Sequence, residues 1–516
     1  MSTWWLILPA SIILLLVVVA VHDLTQKRHA ILRNYPLVGH VRFLLEAFGP
    51  ELRQYIVTSN DEERPFSRDE RRWIYTSAKR LDSTFGFGTD NPVDSVPDYV
   101  IIKPAAFPEP PLPGEPSRPD PAFPVPCAKV LGAAHGRRRA WRPNSIVNIS
   151  GMSFGSLSGA ALTALNRGAA ISGCLHNTGE GGLSDHHRQG GDLSFQIGTG
   201  YFGCRDERGE FSLPRLLESI DGAPVRSIEI KMSQGAEPGL GGLLPGTKVT
   251  PEIAAIRGVA VGEDCRSPNR HSAFGDVDSL IEFVESVASA TGLPVGIKSA
   301  VGEQQFWTDL ATRMAVTGAG PDFVTVDGGE GGTGAAPLVF GDHVSLPFLR
   351  GFPRVYDAFV RADLADQTVF VGSGRLGLAD RGLTAFAMGC DLIGVGREAM
   401  LAIGCVQSQR CHTDRCPTGV ATQSVRLQRG LDPELKSVRA ANYIAAIRQE
   451  LLRLARACGH PHPAMMRPDQ IEFLADGQRS LSLAEILPYG PEHSVPSAAH
   501  LDELATSWPT PATRSV

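Results

Sequence analysis

At 516 residues the chain is long enough for about three domains of 150 residues, or for one large α/β barrel with extensions. Its 42% hydrophobic and 20% charged residues exclude intrinsic disorder and, beyond the N-terminus, a multi-span transporter. Lys and Arg number 49 against 55 Asp and Glu, and the net charge of −6 leaves no basic excess for binding nucleic acid.

The stretch from Trp4 to Val21 carries no charged side chain, and at ~1.5 Å per helical residue it just crosses a hydrocarbon core of about 30 Å. No basic residue precedes it and no small-x-small cleavage site follows, so residues 1–26 read as an uncleaved transmembrane anchor. Lys27, Arg28 and Arg33 follow at once, and the positive-inside rule puts everything after them in the cytoplasm, as a single-pass membrane protein. Residues 40–80 alternate apolar and charged positions at helical spacing, and 27–103 are expected to form a helical, membrane-proximal region. Ten of the 23 residues in 104–126 are proline, which forbids helix and central strand and predicts an extended strap. Arg137, Arg138 and Arg139 read as a solvated face and are assigned no role.

From residue 127 to 425 the pattern is that of a (β/α)8 barrel. Short β-branched runs recur at 145–149, 173–177, 194–198, 227–232, 295–299, 322–327, 368–372 and 391–396, most of them followed by glycine and an amphipathic helix. Eight such units predict a closed parallel sheet with its chemistry at the C-terminal strand ends. The loops after the last two strands read Gly372-Ser373-Gly374-Arg375 and Gly394-Val395-Gly396-Arg397. They stand where such barrels bring backbone N–H groups up to a phosphate. Lys231 and Lys298 lie inside apolar strand runs, where an unpaired ammonium is costly, so each meets either an anion such as a reduced flavin or a neighbouring buried carboxylate. Residues 426–516 read as a helical extension, Ala440 to Ala457, and a polar tail.

Nine cysteines on the cytoplasmic side do not make a disulfide framework. Three of them form Cys405-x5-Cys411-x4-Cys416, closed by Pro417. Three thiolates in one loop suit an iron–sulfur cluster, or zinc with a fourth ligand such as His412.

The run from Gly404 to Gln423, with Cys411-His412-Thr413-Asp414-Arg415-Cys416-Pro417-Thr418-Gly419, closely resembles the three-iron loop of the glutamate synthase large subunit. Three more blocks resemble the FMN domain of that subunit, in the same order. They are Asn177-Thr178-Gly179-Glu180-Gly181-Gly182, then Ile230-Lys231-Met232-Ser233-Gln234-Gly235-Ala236 with Leu244-Pro245-Gly246, then Gly331-Gly332-Thr333-Gly334-Ala335-Ala336-Pro337. The anchored front end is similar to the short, FMN-binding members of the family.

The resemblance implies FMN in the barrel mouth and a [3Fe–4S] cluster on Cys405, Cys411 and Cys416. It also implies reductive amination of 2-oxoglutarate through 2-iminoglutarate. By position, Gly151, Met152 and Ser153 would edge the flavin and Lys298 would meet its N1–O2 side. Gly372, Ser373, Gly374, Gly394, Gly396 and Arg397 would hold its phosphate, with Asn177 completing the flavin set. Lys231 and Gln234 would face the oxo acid. The chain opens on an anchor and has no cysteine before Cys127, unlike the family's N-terminal glutaminase. The reading is therefore that ammonia or an amine, and electrons from a ferredoxin or reductase subunit, come from outside. Glu237 replaces a lysine of the family pattern, which puts a negative charge near the expected substrate. Two rival readings keep the same barrel: a methylglutamate-synthase-like amine transferase, and a flavin/iron–sulfur electron-transfer module without catalysis.

Overall fold

Each of the eight expected runs becomes a strand. They are β1 (Val147–Ile149), β2 (His176–Asn177), β3 (Leu193–Ile197), β4 (Val225–Lys231), β5 (Val295–Ala300), β6 (Phe323–Asp327), β7 (Val369–Ser373) and β8 (Leu392–Val395). In the computed structural model they close in sequence order into one parallel barrel, β8 pairing back onto β1 through Ile393↔Val147 and Val395↔Ile149. Almost every strand residue is buried, because a parallel barrel is filled within and covered by helices without. The structure describes residues 4–82, 84, 86–475 and 479–508. Parts of the expected anchor (1–3), membrane-proximal region (83 and 85) and C-terminal tail (476–478 and 509–516) lie outside them.

Register brings the functional strand ends to one level. Lys231 of β4 stands opposite Lys298 of β5, Ala300 opposite Asp327 of β6, Asp327 opposite Ser373 of β7, and Ser373 opposite Gly394 of β8. The helices between strands start and stop on local signals. Ser158 caps Gly159–Ser172 and Asp276 caps Val277–Thr291 in a capping box, while Gly173 and Gly292 end them in the left-handed region at φ 63° and 73°.

The chain divides into two compact units, Met1–Arg71 and Arg72–Val516. In the first, helix Trp4–Thr25 contains one stretch, Ile7–Thr25, long and apolar enough to cross a membrane, with side chains left exposed along it. Helix Gly39–Leu52 and a π-helical turn, Arg53–Val57, follow.

In the second unit, helix Pro433–Ala457 packs along Gly159–Ser172. A Cβ at Gly168 would lie 2.6 Å from Cβ of Ala440, so the two backbones approach only because this residue is glycine. The proline-rich strap has few donors of its own, and side chains of that helix take its carbonyls. Arg448 donates to Pro121 O at 2.8 Å and to Ser172 O at 2.9 Å, and Gln449 donates to Pro116 O at 2.8 Å. Residues after Ala457 differ from the expected polar tail. Ile471–Leu474 pairs antiparallel with both Ser480–Ser482 and Val100–Ile102 in a small sheet.

Candidate active site at the barrel mouth

Lys231 is 8% exposed at the end of β4. Its Nζ lies 3.0 Å from Glu180 Oε1 and 3.8 Å from Glu237 Oε1. Burial opposes its charge, yet Glu180, Glu237 and Asp327 outweigh burial and hold the ammonium above its usual range. Glu180 feels the same burial but is drawn below the carboxylate range by Lys231. Glu237 goes the other way: burial, with Glu180 and Asp327, raises it against the pull of Lys231 and Thr333. Lys231 and Glu180 are thus the ion pair, and Glu237 is an additional carboxylate that takes up a proton more readily.

Backbone closures bring the motif blocks together. Gly235 N–H donates to Asp327 Oδ2 at 2.8 Å, and a Cβ on Gly235 would sit 1.8 Å from Gly328 O, so no side chain fits there. Gln234 Nε2 donates to Gly332 O at 2.5 Å, and Thr333 Oγ1 donates to Glu237 Oε2 at 2.9 Å. Lys231 therefore meets the first block through Glu180, and the Gln234 side chain meets the backbone of the third at Gly332.

Lys298, 6% exposed, makes no hydrogen bond among the described residues; its ion pair is Asp327 Oδ2 at 3.6 Å. Three N–H donors in a buried site are left for an anion, which fits the electron-rich edge of a flavin. The glycines after β7 and β8 differ from one another. A Cβ at Gly394 or Gly396 would meet nothing nearer than 3.5 Å, ordinary van der Waals contact with Ser150 and Met152, so packing does not require glycine at either position. Gly372 is instead crowded by Leu376, Phe348 and Cys390, which explains that glycine by packing alone. Ser373 is buried, Gly374 takes φ +145° against Glu330, and Arg397 donates to the Glu330 carbonyl. Gly151 backs onto Gln196 and Asn177, and the Met152 methyl is the nearest atom to the space over Gly396. Ser153 Oγ donates to Ser156 Oγ at 3.0 Å.

Inside the barrel a polar cluster escaped the sequence reading. Glu229 accepts from Asn177 Nδ2 at 2.7 Å, Gln196 Nε2 at 2.6 Å and Thr325 Oγ1 at 2.7 Å. Asn177 Oδ1 accepts from Gly179 N–H at 2.9 Å, so both ends of that side chain are engaged with protein. The available signal was a Glu, a Gln and a Thr inside otherwise apolar strand runs.

The cysteine loop sits beside the loop after β1. Gln423 Nε2 donates to the carbonyls of Gly155 (3.1 Å) and Leu157 (2.9 Å), and Lys248 Nζ bridges Ser156 O (2.6 Å) and Cys411 O (3.3 Å). A single segment, Gly151 to Leu157, thus runs from the end of β1 to the cysteine loop. Burial, with the charges of Cys411 and Cys416, pushes the Cys405 thiol up to about 12, and burial with Cys416 raises Cys411. The three sulfurs are near enough to feel one another, and buried Lys248 offers a counter-charge. That donor set fits an iron–sulfur cluster in chemical type. Among the described residues no group of three or more His, Cys, Asp or Glu, His412 included, is arranged to hold a metal ion.

A cavity of about 790 Å³ lies outside the ring of strands, between helices Val277–Thr291 and Gln304–Thr317, with Met232, His271 and Phe274 in its wall. His271 couples this wall to the mouth: Nε2 donates to the Lys231 carbonyl at 2.9 Å and Nδ1 accepts from Tyr201 Oη at 3.2 Å.

Two buried ammonium groups, each beside carboxylates, thus stand side by side at the strand ends of a (β/α)8-barrel protein. Residues 133–461 match the family model described as the conserved region in glutamate synthase, and the chain belongs to the glutamate synthase family, a family of oxidoreductases. It is 35% identical over 482 residues to the glutamate synthase large subunit-like protein YerD of Bacillus subtilis, covering 88% of this chain and 91% of that one. It is also 35% identical over 322 residues to the archaeal glutamate synthase [NADPH] of Methanocaldococcus jannaschii, covering 61% of this chain and 59% of that protein. Among solved structures, a mandelate oxidase matches with a TM-score of 0.39 at 16% identity, over 70% of this chain and 84% of the other, a likeness too distant to bear on function.

Proposed function

We propose that the chain is a membrane-anchored oxidoreductase of glutamate synthase type. It carries out reductive amination of 2-oxoglutarate or a related oxo acid, with ammonia or a small amine as nitrogen source and electrons from a separate donor. The observation that supports this best is the meeting of three family blocks around Lys231, opposite Lys298, a buried ammonium without a hydrogen bond among the described residues. Lys298, Gly151, Met152, Ser153, Gly394, Gly396 and Arg397 would hold FMN, and Cys405, Cys411 and Cys416 would hold the cluster. When bound, FMN would supply hydride-transfer chemistry and the cluster one-electron transfer.

The chain's own groups do the rest. Lys231 faces the oxo acid, and its pair with Glu180 keeps the ammonium charged. Gln234 fixes the 331–337 loop over the site, which limits access of water. Glu237, the most readily protonated group at this point, can give or take a proton beside the bound substrate. The apolar helix Trp4–Thr25, followed by Lys27, Arg28 and Arg33, would anchor the protein with its barrel in the cytoplasm.

The test is a screen of anaerobically purified, chemically reduced holoenzyme against oxo acids with ammonia or small amines. Reoxidation of the flavin that requires both an oxo acid and a nitrogen source supports the reading. Reoxidation by artificial one-electron acceptors alone would favour an electron-transfer module.

A further inference from the structure

Two carboxylates stand on one lysine at the mouth. Glu180 Oε1 is 3.0 Å and Glu237 Oε1 is 3.8 Å from Lys231 Nζ, so with both ionised the local charge is negative and with Glu237 protonated it is zero. Asp327 lies within electrostatic reach of both Lys231 and Glu237, but it is paired with Lys298 at 3.6 Å and leaves that balance unchanged. Glu237 is not a solvent-facing side chain swung in by chance. It is 8% exposed, and Thr333 Oγ1 holds its second oxygen at 2.9 Å, which fixes the first toward Lys231. The other polar side chain of the same loop, Gln234, is committed to Gly332 O.

A 2-oxo dicarboxylate needs a cationic partner at each end, and a carboxylate approaching Lys231 meets a lysine already more than neutralised. We infer that Glu237 occupies, from within the chain, the position on Lys231 that a substrate's second carboxylate would take, and so selects 2-oxo acids whose distal end carries no negative charge. This rests on the oxo-acid reading of the mouth and narrows it to monocarboxylic substrates. Glu237 acts here by charge and by occupancy: removing the charge leaves the Lys231–Glu180 pair neutral instead of negative, and reversing it supplies a second cation.

The experiment compares 2-oxoglutarate with 2-oxopentanoate, the same carbon chain without the second carboxylate. Holoenzyme is titrated with each acid, and binding is read from the flavin difference spectrum and from the rise in unfolding temperature, which reports ligand affinity independently of turnover. The wild-type protein binds 2-oxopentanoate at least about tenfold more tightly than 2-oxoglutarate. Glu237→Gln narrows that ratio, and Glu237→Lys inverts it. Thr333→Val, which frees Glu237 without removing it, shifts the ratio in the same direction and serves if the Glu237 variants fold poorly. A wild-type preference for 2-oxoglutarate, or a ratio unmoved in all three variants, overturns the inference and leaves the synthase reading standing. If neither acid perturbs the flavin or the unfolding temperature in any of the four proteins, the oxo-acid reading fails and this inference fails with it.

Discussion

At the scale of single residues, the mouth is a problem in charge placement. Lys231 and Glu237 are buried and Glu180 is largely so, and none would tolerate isolation. Replacing Lys231 by Met leaves Glu180 without the cation that lowers it, which costs about 3 kcal/mol or more by the usual penalty for breaking a buried pair. Much of that loss returns in the double variant Lys231→Met with Glu180→Gln, and unfolding in urea of the single and double variants measures the difference. A loss equal in both would show that the lysine stem, not its charge, supports the site. Lys231 and Lys298 were legible in the sequence because an ammonium inside an apolar strand run always demands a partner. The identity of the partner was not: Glu180 and Asp327 come from other strands and loops, and only barrel closure brings them within reach. The direction taken by Glu237 depends on Thr333, nearly a hundred residues onward, for the same reason.

Elements show which signals are local. Eight strands were readable because β-branched runs, glycine stops and helix caps are all short-range patterns. The strands Ile471–Leu474 and Ser480–Ser482 were not, since the first of them completes its sheet only by pairing with Val100–Ile102 far upstream. The Glu229 cluster was missed because the inward direction of a polar strand residue follows from register.

Near the C-terminal helix, His462 Nε2 donates to Pro126 O at 3.0 Å and Nδ1 accepts from Ala464 N–H at 3.1 Å. Protonating Nδ1 would set one N–H against another, and burial pushes this histidine down to about 4 from an ordinary value of 6.5. Its neutral form is the folded form, so its contribution to stability is whole above pH 6.5 and is lost as pH falls from there to 4, about 3 kcal/mol in all. Unfolding temperature followed against pH should therefore fall more steeply over that window than in His462→Gln; parallel curves would rule the contribution out. On the cysteine loop, Cys411→Ser should abolish the three-iron signal in electron paramagnetic resonance of the oxidised protein while FMN stays bound. Stoichiometric zinc without iron in anaerobically prepared protein would contradict the cluster assignment.

For the molecule as a whole, the barrel mouth, the segment Gly151 to Leu157 and the cysteine loop form one connected path in the unit Arg72–Val516. The apolar helix belongs to the other unit, Met1–Arg71. Deleting residues 1–26 should move the protein from the membrane pellet to the soluble fraction with flavin content unchanged, and a full-length protein that is already soluble would contradict the anchor. The central claim is that the mouth joins nitrogen to an oxo acid. The most direct measurement is mass spectrometry of the products when reduced holoenzyme is incubated without oxygen with a 2-oxo acid and nitrogen-15 ammonia or amine. The predicted result is an amino acid carrying the heavy nitrogen, in an amount matching the flavin reoxidised and absent in Lys231→Met. Reoxidation with no labelled amino acid from any oxo acid would contradict it.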